Sequence, residues 1–267
     1  MTLRNAVVSE HRARKRFGQN FLSDPNIIRN IVDAIRPRPG DIMVEIGPGL
    51  GAMTTPIIER LGHLNVIEID RDLIVHLKRA HSLDRLTIHE GDALKFDFAS
   101  LGTPLRVVGN LPYNISTPLL FHLAKFAEGV RDMHFMLQKE VVMRMAAEAD
   151  TSDYGRLSVM LQYRFAMERL FDVPPGAFRP APKVTSSIVR MVPLPSERPR
   201  ATDEVLFGRI VAAAFGQRRK TLRNTLREFL DAADFKALDI DPGLRGERLA
   251  VTDYVAIANH VATKLEA

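Results

Sequence analysis

The chain has 267 residues, 46% of them hydrophobic and 26% charged, which suffices for one large domain and a smaller one. A net charge of +5 points to an anionic partner without naming it, and the lack of cysteine excludes disulfides, thiolate metal sites and methyl transfer through a cysteine adduct. No apolar run approaches membrane-spanning length and the basic start lacks a signal-peptide core, so a cytoplasmic protein without a membrane partner is expected.

Residues 1–16 read as a flexible basic arm in which Arg12, Arg14, Lys15 and Arg16 cluster. Phe17-Gly18-Gln19-Asn20-Phe21-Leu22 leads into Ser23-Asp24-Pro25, where an Asp24 N-cap and Pro25 in the first turn predict a helix to Arg36, stopped by Pro37. Phe21 and Leu22 fit either a hydrophobic plug or a lid over a ligand. Residues 41–46 predict the first sheet strand, which runs into Gly47-Pro48-Gly49-Leu50-Gly51 and a helix over 52–60. Glycines there let the backbone approach a ligand at a helix N-terminus. Their spacing is not that of the dinucleotide fingerprint, and the Gly-Lys-Ser/Thr of a phosphate loop is missing. A second strand over 64–67 ends in Glu68-Ile69-Asp70. Glu68 is placed either to accept both hydroxyls of a ribose or, as a surface residue, to cap the next helix. A third strand over 86–89 leads to Glu90-Gly91-Asp92-Ala93, where Asp92 can accept from an adenine amino group or serve as an ordinary turn aspartate.

The fourth strand begins with Leu105-Arg106-Val107-Val108 and ends in Gly109-Asn110-Leu111-Pro112-Tyr113, before a helix start at Ser116-Thr117-Pro118. A polar amide and an aromatic ring thus stand at the carboxyl end of a strand, where open α/β sheets bind ligands. Methylation of an exocyclic amine suits these groups. Adenine N6 is a poor nucleophile because its lone pair is delocalised into the ring. Acceptors at the Asn110 side-chain oxygen and the Leu111 carbonyl would favour a pyramidal nitrogen, and Tyr113 could stack on the base and face a sulfonium. Taken alone, the stretch is also explained by a strand-ending Asn turn and a buried Tyr. Gly47, Glu68, Asp92 and Asn110 at four successive strand tips, however, point together to a nucleoside-bearing cofactor.

Residues 131–137 predict a fifth strand, 139–149 a helix with Val142, Met145 and Ala146 inward, and 154–164 a further helix. Strands over 165–173 and 186–192 follow as a hairpin-like pair. Between them, four prolines and a glycine stiffen residues 174–183, and Phe178 is either a platform for a flipped base or an anchor packing the loop on the domain. Residues 193–200 have the composition of a linker. The remainder predicts a small helical domain, with helices over 204–215, 221–230, 235–238 and 253–265. Arg218, Arg219, Lys220, Arg223 and Arg227 crowd the second of these, with positions 219, 223 and 227 on one face and no acidic neighbour before Glu228. Such a run fits RNA phosphates or a solvated face. There is no internal repeat, His-containing zinc motif or serine-hydrolase elbow, and no metal is expected.

The set Gly18-Gln19-Asn20-Phe21-Leu22, Glu45-Ile46-Gly47-Pro48-Gly49-Leu50-Gly51, Glu68-Ile69-Asp70, Gly91-Asp92-Ala93, Asn110-Leu111-Pro112-Tyr113, Phe178-Arg179-Pro180 and 215–224 closely resembles the ribosomal RNA adenine-N6,N6-dimethyltransferases, above all their bacterial small-subunit branch. The resemblance covers essentially the whole chain. It implies an α/β fold: a Rossmann-like, seven-stranded methyltransferase sheet that uses S-adenosylmethionine, with a small all-α C-terminal domain. The catalytic domain would span 1–195, with 1–22 as basic arm and lid, and the rRNA-binding helical domain 196–267. Asn20 and Leu22 would contact the cofactor from the lid, Gly47 would line its methionine end, Glu68 would hold the ribose and Asp92 the adenine amino group. Asn110 would face both cofactor and target amine, Leu111 and Tyr113 would complete the catalytic stretch, and Phe178 would stack on the extruded adenine. The implied substrate is a pair of adjacent adenosines in the 3′-terminal hairpin of 16S rRNA, within the small subunit or its assembly intermediate, and a monomer is expected. Large-subunit resistance-type enzymes share the catalytic motifs, but the late basic stretch matches the small-subunit branch better. DNA adenine methyltransferases usually differ at the position of Leu111 and in their target domains. A purely non-catalytic assembly factor would not need these motifs intact.

Overall fold

The computed structural model describes residues 20–266, so the basic arm and Gly18-Gln19 lie outside the described residues. A two-residue strand, β1 (Phe21–Leu22), precedes α1 (Pro25–Ile35), which starts where Asp24 Oδ1 accepts the N–H groups of Asn26 at 2.8 Å and Ile27 at 3.2 Å. The helix ends one residue short of the expected stop, because Arg36 turns left-handed (φ 52°) and caps it. β2 (Ile42–Ile46) is followed by the glycine turn, and α2 (Thr54–Leu61) begins two residues later than the sequence predicts. Gly47, Gly49 and Gly51 hold φ of 66°, 60° and 82° there, so the chain is spent on a turn before it can become helical.

Next come β3 (Leu64–Glu68), α3 (Arg71–Ala80), β4 (Leu86–Glu90), β5 (Leu105–Asn110), α4 (Ser116–Ala124) and β6 (Val130–Gln138). α5 (Lys139–Met145) and α6 (Arg156–Gln162) lead to β7 (Phe165–Val173), the short β8 (Phe178–Arg179) and β9 (Ser186–Pro193). The seven-stranded sheet has the order β4-β3-β2-β5-β6-β9-β7, with β4 through β6 parallel and β9 antiparallel to β6. The central strands are buried on both faces, which is why they read as near-continuous apolar runs. β2 is flanked by β3 on one side and β5 on the other, so the direction of winding reverses between β2 and β5. Gly109 is required in β5, because a Cβ there would stand 2.7 Å from the Ile46 carbonyl oxygen.

At the amino ends of these strands Arg106 is buried and fully engaged. Its guanidinium grips Asp132 with Nε at 2.8 Å and Nη2 at 3.0 Å, reaches Asp41 at 2.7 Å, and donates to the terminal carbonyls of α1 at Ile35 and Arg36. That network ties α1 to the sheet at the end opposite the glycine turn, and it holds the Asp41 carboxyl below its ordinary range against the opposing effect of burial.

By packing, the chain forms two compact units. One ends at Val142 and resumes over Met167–Pro193; the other comprises Met143–Ala166 and the chain from Leu194 on. The second unit includes α7 (Glu204–Gly216), α8 (Leu222–Thr225), α9 (Ala232–Ala237) and α10 (Val251–Glu266). Its core gathers Tyr154, Val159, Phe207, Ile210, Leu222, Leu226 and Tyr254. Within it Gln162 Nε2 donates to the carbonyls of Met145 and Ala147, both at 2.8 Å, which holds 143–166 together as a helical layer. No helix among the described residues is long and apolar enough to cross a membrane.

Candidate active site

The ends of β2, β4 and β5 are each stitched to a neighbouring strand. Gly47 N–H donates to the Ile67 carbonyl at 3.0 Å, Gly91 N–H to Glu68 at 2.9 Å and Leu111 N–H to Met136 at 3.2 Å. These stitches gather the tips of β2, β3, β4 and β5 around a cavity of 250 Å³ at the reversal of strand order. Asn20, Leu22, Gly47, Glu68, Asp92, Asn110, Leu111 and Tyr113 all line it.

β1 closes one side, pairing antiparallel with β8 through Phe21↔Arg179 and Leu22↔Phe178. Ser23 N–H adds a bond to the Ala177 carbonyl at 2.8 Å. The Phe21 ring sits against Gly49, where a Cβ would come within 3.2 Å of it. Asn110 Nδ2 donates to the Asn20 carbonyl at 3.1 Å, joining the end of β5 to the residue before β1.

Glu68 is 6% exposed, and its Oε1 accepts the backbone N–H groups of Ile69 at 2.8 Å and Asp70 at 2.9 Å. Burial pushes its carboxyl up, opposed by those hydrogen bonds. Helix α3 is capped by Asp70, whose Oδ1 accepts from Asp72 N–H at 3.1 Å; Glu68 is therefore not the surface cap that was its alternative. Asp92 Oδ1 accepts from Leu94 N–H at 3.0 Å, so this aspartate shapes its own turn while facing the cavity.

The sequence motifs included Glu45 but assigned it no role. It also lines the cavity, is 1% exposed, and its Oε2 accepts the Thr54 hydroxyl at 2.6 Å. Burial, with a smaller push from the Glu68 charge, raises its pKa to about 7 against the opposing Thr54 bond. A carboxylate in the middle of an apolar strand run was its one visible signal.

Phe178 is not brought to the cavity. It is 1% exposed and packs in one cluster with Leu22, Val173, Ala177 and Ile188, because pairing with β1 draws the aromatic inside. In this arrangement it anchors its loop beneath β1.

The basic run departs from the expected stripe. Arg218, Arg219 and Lys220 precede α8, which is only Leu222–Thr225, and Arg227 follows it, so positions 219, 223 and 227 do not share a helix face. The helix starts beside the expected residue but runs only to Thr225; its first amides, Leu222 and Arg223 N–H, donate to the carbonyls of Leu244 at 2.7 Å and Pro242 at 3.0 Å. Arg218 also has neighbours the sequence did not suggest: it donates to the Ser152 carbonyl at 2.5 Å and lies 3.9 Å from Glu247. All five cationic residues are exposed. Among the described residues no cluster of His, Cys, Asp and Glu could hold a metal ion.

The family model for ribosomal RNA adenine dimethylase matches residues 10–263. A relative named ribosomal RNA small subunit methyltransferase A, from Aromatoleum aromaticum, is 80% identical over 257 residues, covering 96% of this chain and 97% of its own length. The protein of the same name from Chromobacterium violaceum is 62% identical over 258 residues, covering 96% and 98%. Among solved structures, a dimethyladenosine transferase from Plasmodium falciparum superposes with a TM-score of 0.77 at 25% identity, over 89% of this chain and 95% of that one. The 23S rRNA methyltransferase ErmE shares the fold, with a TM-score of 0.69 at 23% identity over 91% and 100%. With the match running through nearly the whole length and Asn20, Gly47, Glu68, Asp92 and Asn110 lining one cavity, the chain belongs to the ribosomal RNA adenine dimethylase family.

Proposed function

We propose that this protein uses S-adenosylmethionine to dimethylate N6 of two adjacent adenosines in the 3′-terminal hairpin of 16S rRNA, acting on the small subunit or an assembly intermediate as part of subunit biogenesis. The observation that carries the proposal is the convergence of Gly47, Glu68, Asp92 and Asn110 on one cavity where the strand order reverses. The name carried by its relatives, ribosomal RNA small subunit methyltransferase A, agrees.

The cavity fits the proposed cofactor. A Cβ on Gly47 would meet nothing closer than the Asn110 carbonyl oxygen at 4.0 Å, so the missing side chain leaves space at the cavity wall, and the positive φ disfavours any side chain there. Acidic side chains at Glu45, Glu68 and Asp92 stand in a lining that is otherwise mostly apolar, apart from the amides of Asn20, Asn110 and Asn114, which suits a cationic nucleoside. When bound, the cofactor supplies a methyl group on a sulfonium, delivered to nitrogen by in-line displacement.

The protein's part is orientation and desolvation. Glu68 accepts from ribose hydroxyls, Asp92 from the adenine amino group, and Asn20, Leu22 and Gly47 enclose the remainder. Because Asn110 Nδ2 donates to Asn20, the amide is held with Oδ1 as the acceptor for the target amine. The Leu111 carbonyl accepts the second N–H of the first substrate, and Tyr113 stacks on the base. The N6 proton becomes acidic only after methyl transfer, so no strong base is needed. Phe178 could join the stack once the lid opens. Arg218, Arg219, Lys220, Arg223 and Arg227 offer a cationic surface for rRNA phosphates, with Arg218 the least available because of its contacts to Ser152 and Glu247. The working protein is a cytoplasmic monomer with no membrane or metal partner.

The test is incubation of the protein with labelled S-adenosylmethionine and unmethylated small subunits, followed by primer extension. Two adjacent stops in the 3′-terminal hairpin are expected. Label at other nucleotides, or none, would refute the proposal.

A further inference from the structure

Tyr113 stands three residues past the end of β5, on a loop whose own bonds are Ile115 N–H to the Pro112 carbonyl at 3.1 Å and Ser116 Oγ to the Tyr113 carbonyl at 3.2 Å. Those bonds place the backbone and leave the direction of the ring to be set by what the side chain touches. The phenolic oxygen lies 2.9 Å from Ser186 Oγ, a hydrogen bond between residues 73 apart in the chain. Ser186 is fully buried (0% exposed), and burying a hydroxyl is costly unless it has a partner. Its partner here belongs to the wall of the cavity, while Ser186 itself does not line that cavity.

The anchor is well held. Ser186 is the first residue of β9 and pairs with Gln138 at the end of β6. Its neighbour Ser187 donates through Oγ to Asp172 Oδ1 at 2.5 Å, and Lys139 Nζ reaches Asp172 Oδ2 at 2.7 Å. Lys139 N–H donates to the Thr185 carbonyl at 3.0 Å. Together with Arg169, these bonds hold the Asp172 carboxyl at about 2, so the clamp persists across the working pH range. The serine that meets Tyr113 is thus fixed to two strands, whereas Tyr113 is carried by a loop.

We propose that Ser186 is a positioning residue for Tyr113, fixing the direction in which the phenol ring points before the target base arrives; this rests on the methyltransferase reading above. It adds no group to the reaction. Its effect is to keep the far end of the ring from swinging about the Cα–Cβ bond, so that the surface offered to the base stays in one place.

The test is a double-mutant cycle of Tyr113→Phe, Ser186→Ala and the double variant, with turnover measured on unmethylated small subunits. Each single change removes the same hydrogen bond, so each should lower kcat roughly fivefold, and the double variant should fall no further. KM for subunits and S-adenosylmethionine affinity should stay at wild-type values while kcat falls, a split that a purely structural role for Ser186 would not give. Should Ser186→Ala fail to fold, Tyr113→Phe alone still decides. Unchanged kcat in Tyr113→Phe, or fully multiplicative losses in the double variant, would overturn the assignment. A wild-type protein inactive on unmethylated subunits would overturn the methyltransferase reading, and this proposal with it.

Discussion

Replacing Glu45 with glutamine should stabilise the protein at neutral and alkaline pH. The carboxyl is 1% exposed, and its one hydrogen bond on the cavity side of β2 comes from the Thr54 hydroxyl at 2.6 Å. Burial lifts its pKa from 4.5 to about 7, so the folded protein holds this proton more tightly than the unfolded chain. The stabilisation from that proton is complete below 4.5 and is lost as the pH rises through about 7. The interval between the two values corresponds to roughly 3 kcal/mol. Glutamine removes the ionisation and keeps an acceptor for Thr54. Urea denaturation from pH 4 to pH 8.5 should therefore give matching curves at the acid end. They should then diverge by about 3 kcal/mol in favour of Glu45→Gln at the alkaline end. Glu68, whose pKa burial also raises, contributes in the same direction but is present in both proteins. Parallel stability profiles across the whole range would refute the buried, protonated carboxyl.

Glu68→Ala should weaken S-adenosylmethionine binding by roughly 1–3 kcal/mol, read by calorimetry, and unchanged affinity would remove Glu68 from the site. Asn110→Ala should keep most cofactor and RNA binding yet lose methyl transfer, so normal transfer would exclude its amide from catalysis. Phe178→Ala should cost roughly 3–5 kcal/mol of stability as a core truncation, whereas Phe178→Leu should stay folded. Normal turnover by the folded leucine variant would leave Phe178 as an anchor alone. Exchanging Arg219 and Arg223 for glutamate should weaken subunit binding and flatten its salt dependence without touching cofactor affinity; an unchanged affinity at low salt would make these residues a solvated face.

The cavity residues were legible in the sequence because the signals there are local. A buried parallel strand must be an apolar run, and the chain must turn where the strand ends, so Gly47, Glu68, Asp92 and Asn110 announce themselves at the ends of such runs. The α1 cap at Asp24-Pro25 is local in the same way, since a side chain bonding two or three residues ahead needs no distant partner. The late basic run shows where local reasoning stops. Leu222, Leu226 and Leu230 do keep an apolar spacing, and all three are buried, but the helix ends at Thr225, so the cations at 219 and 227 fall outside it.

The remaining features depended on long-range packing. The insertion of β9 between β6 and β7 is a pairing choice that leaves no trace in the composition of either strand. Residues Met143–Ala166 join the helical unit through contacts with segments from Leu194 onward, and no linker composition marks their departure from the sheet unit. Phe178 lies in a proline-rich loop that fits exposure as well as burial, and only pairing of β8 with β1 draws its ring inside. Ser186 looks like any polar residue at a strand start until Tyr113 arrives from 73 positions away. The order of residues alone dictates where chain segments end and which chemistry stands at those ends, because caps, turns and strand runs are set by neighbours a few residues apart. What each side chain meets, how deeply it is buried and therefore which charge it carries arise only when distant segments pack together, because desolvation and hydrogen bonding are properties of the surroundings.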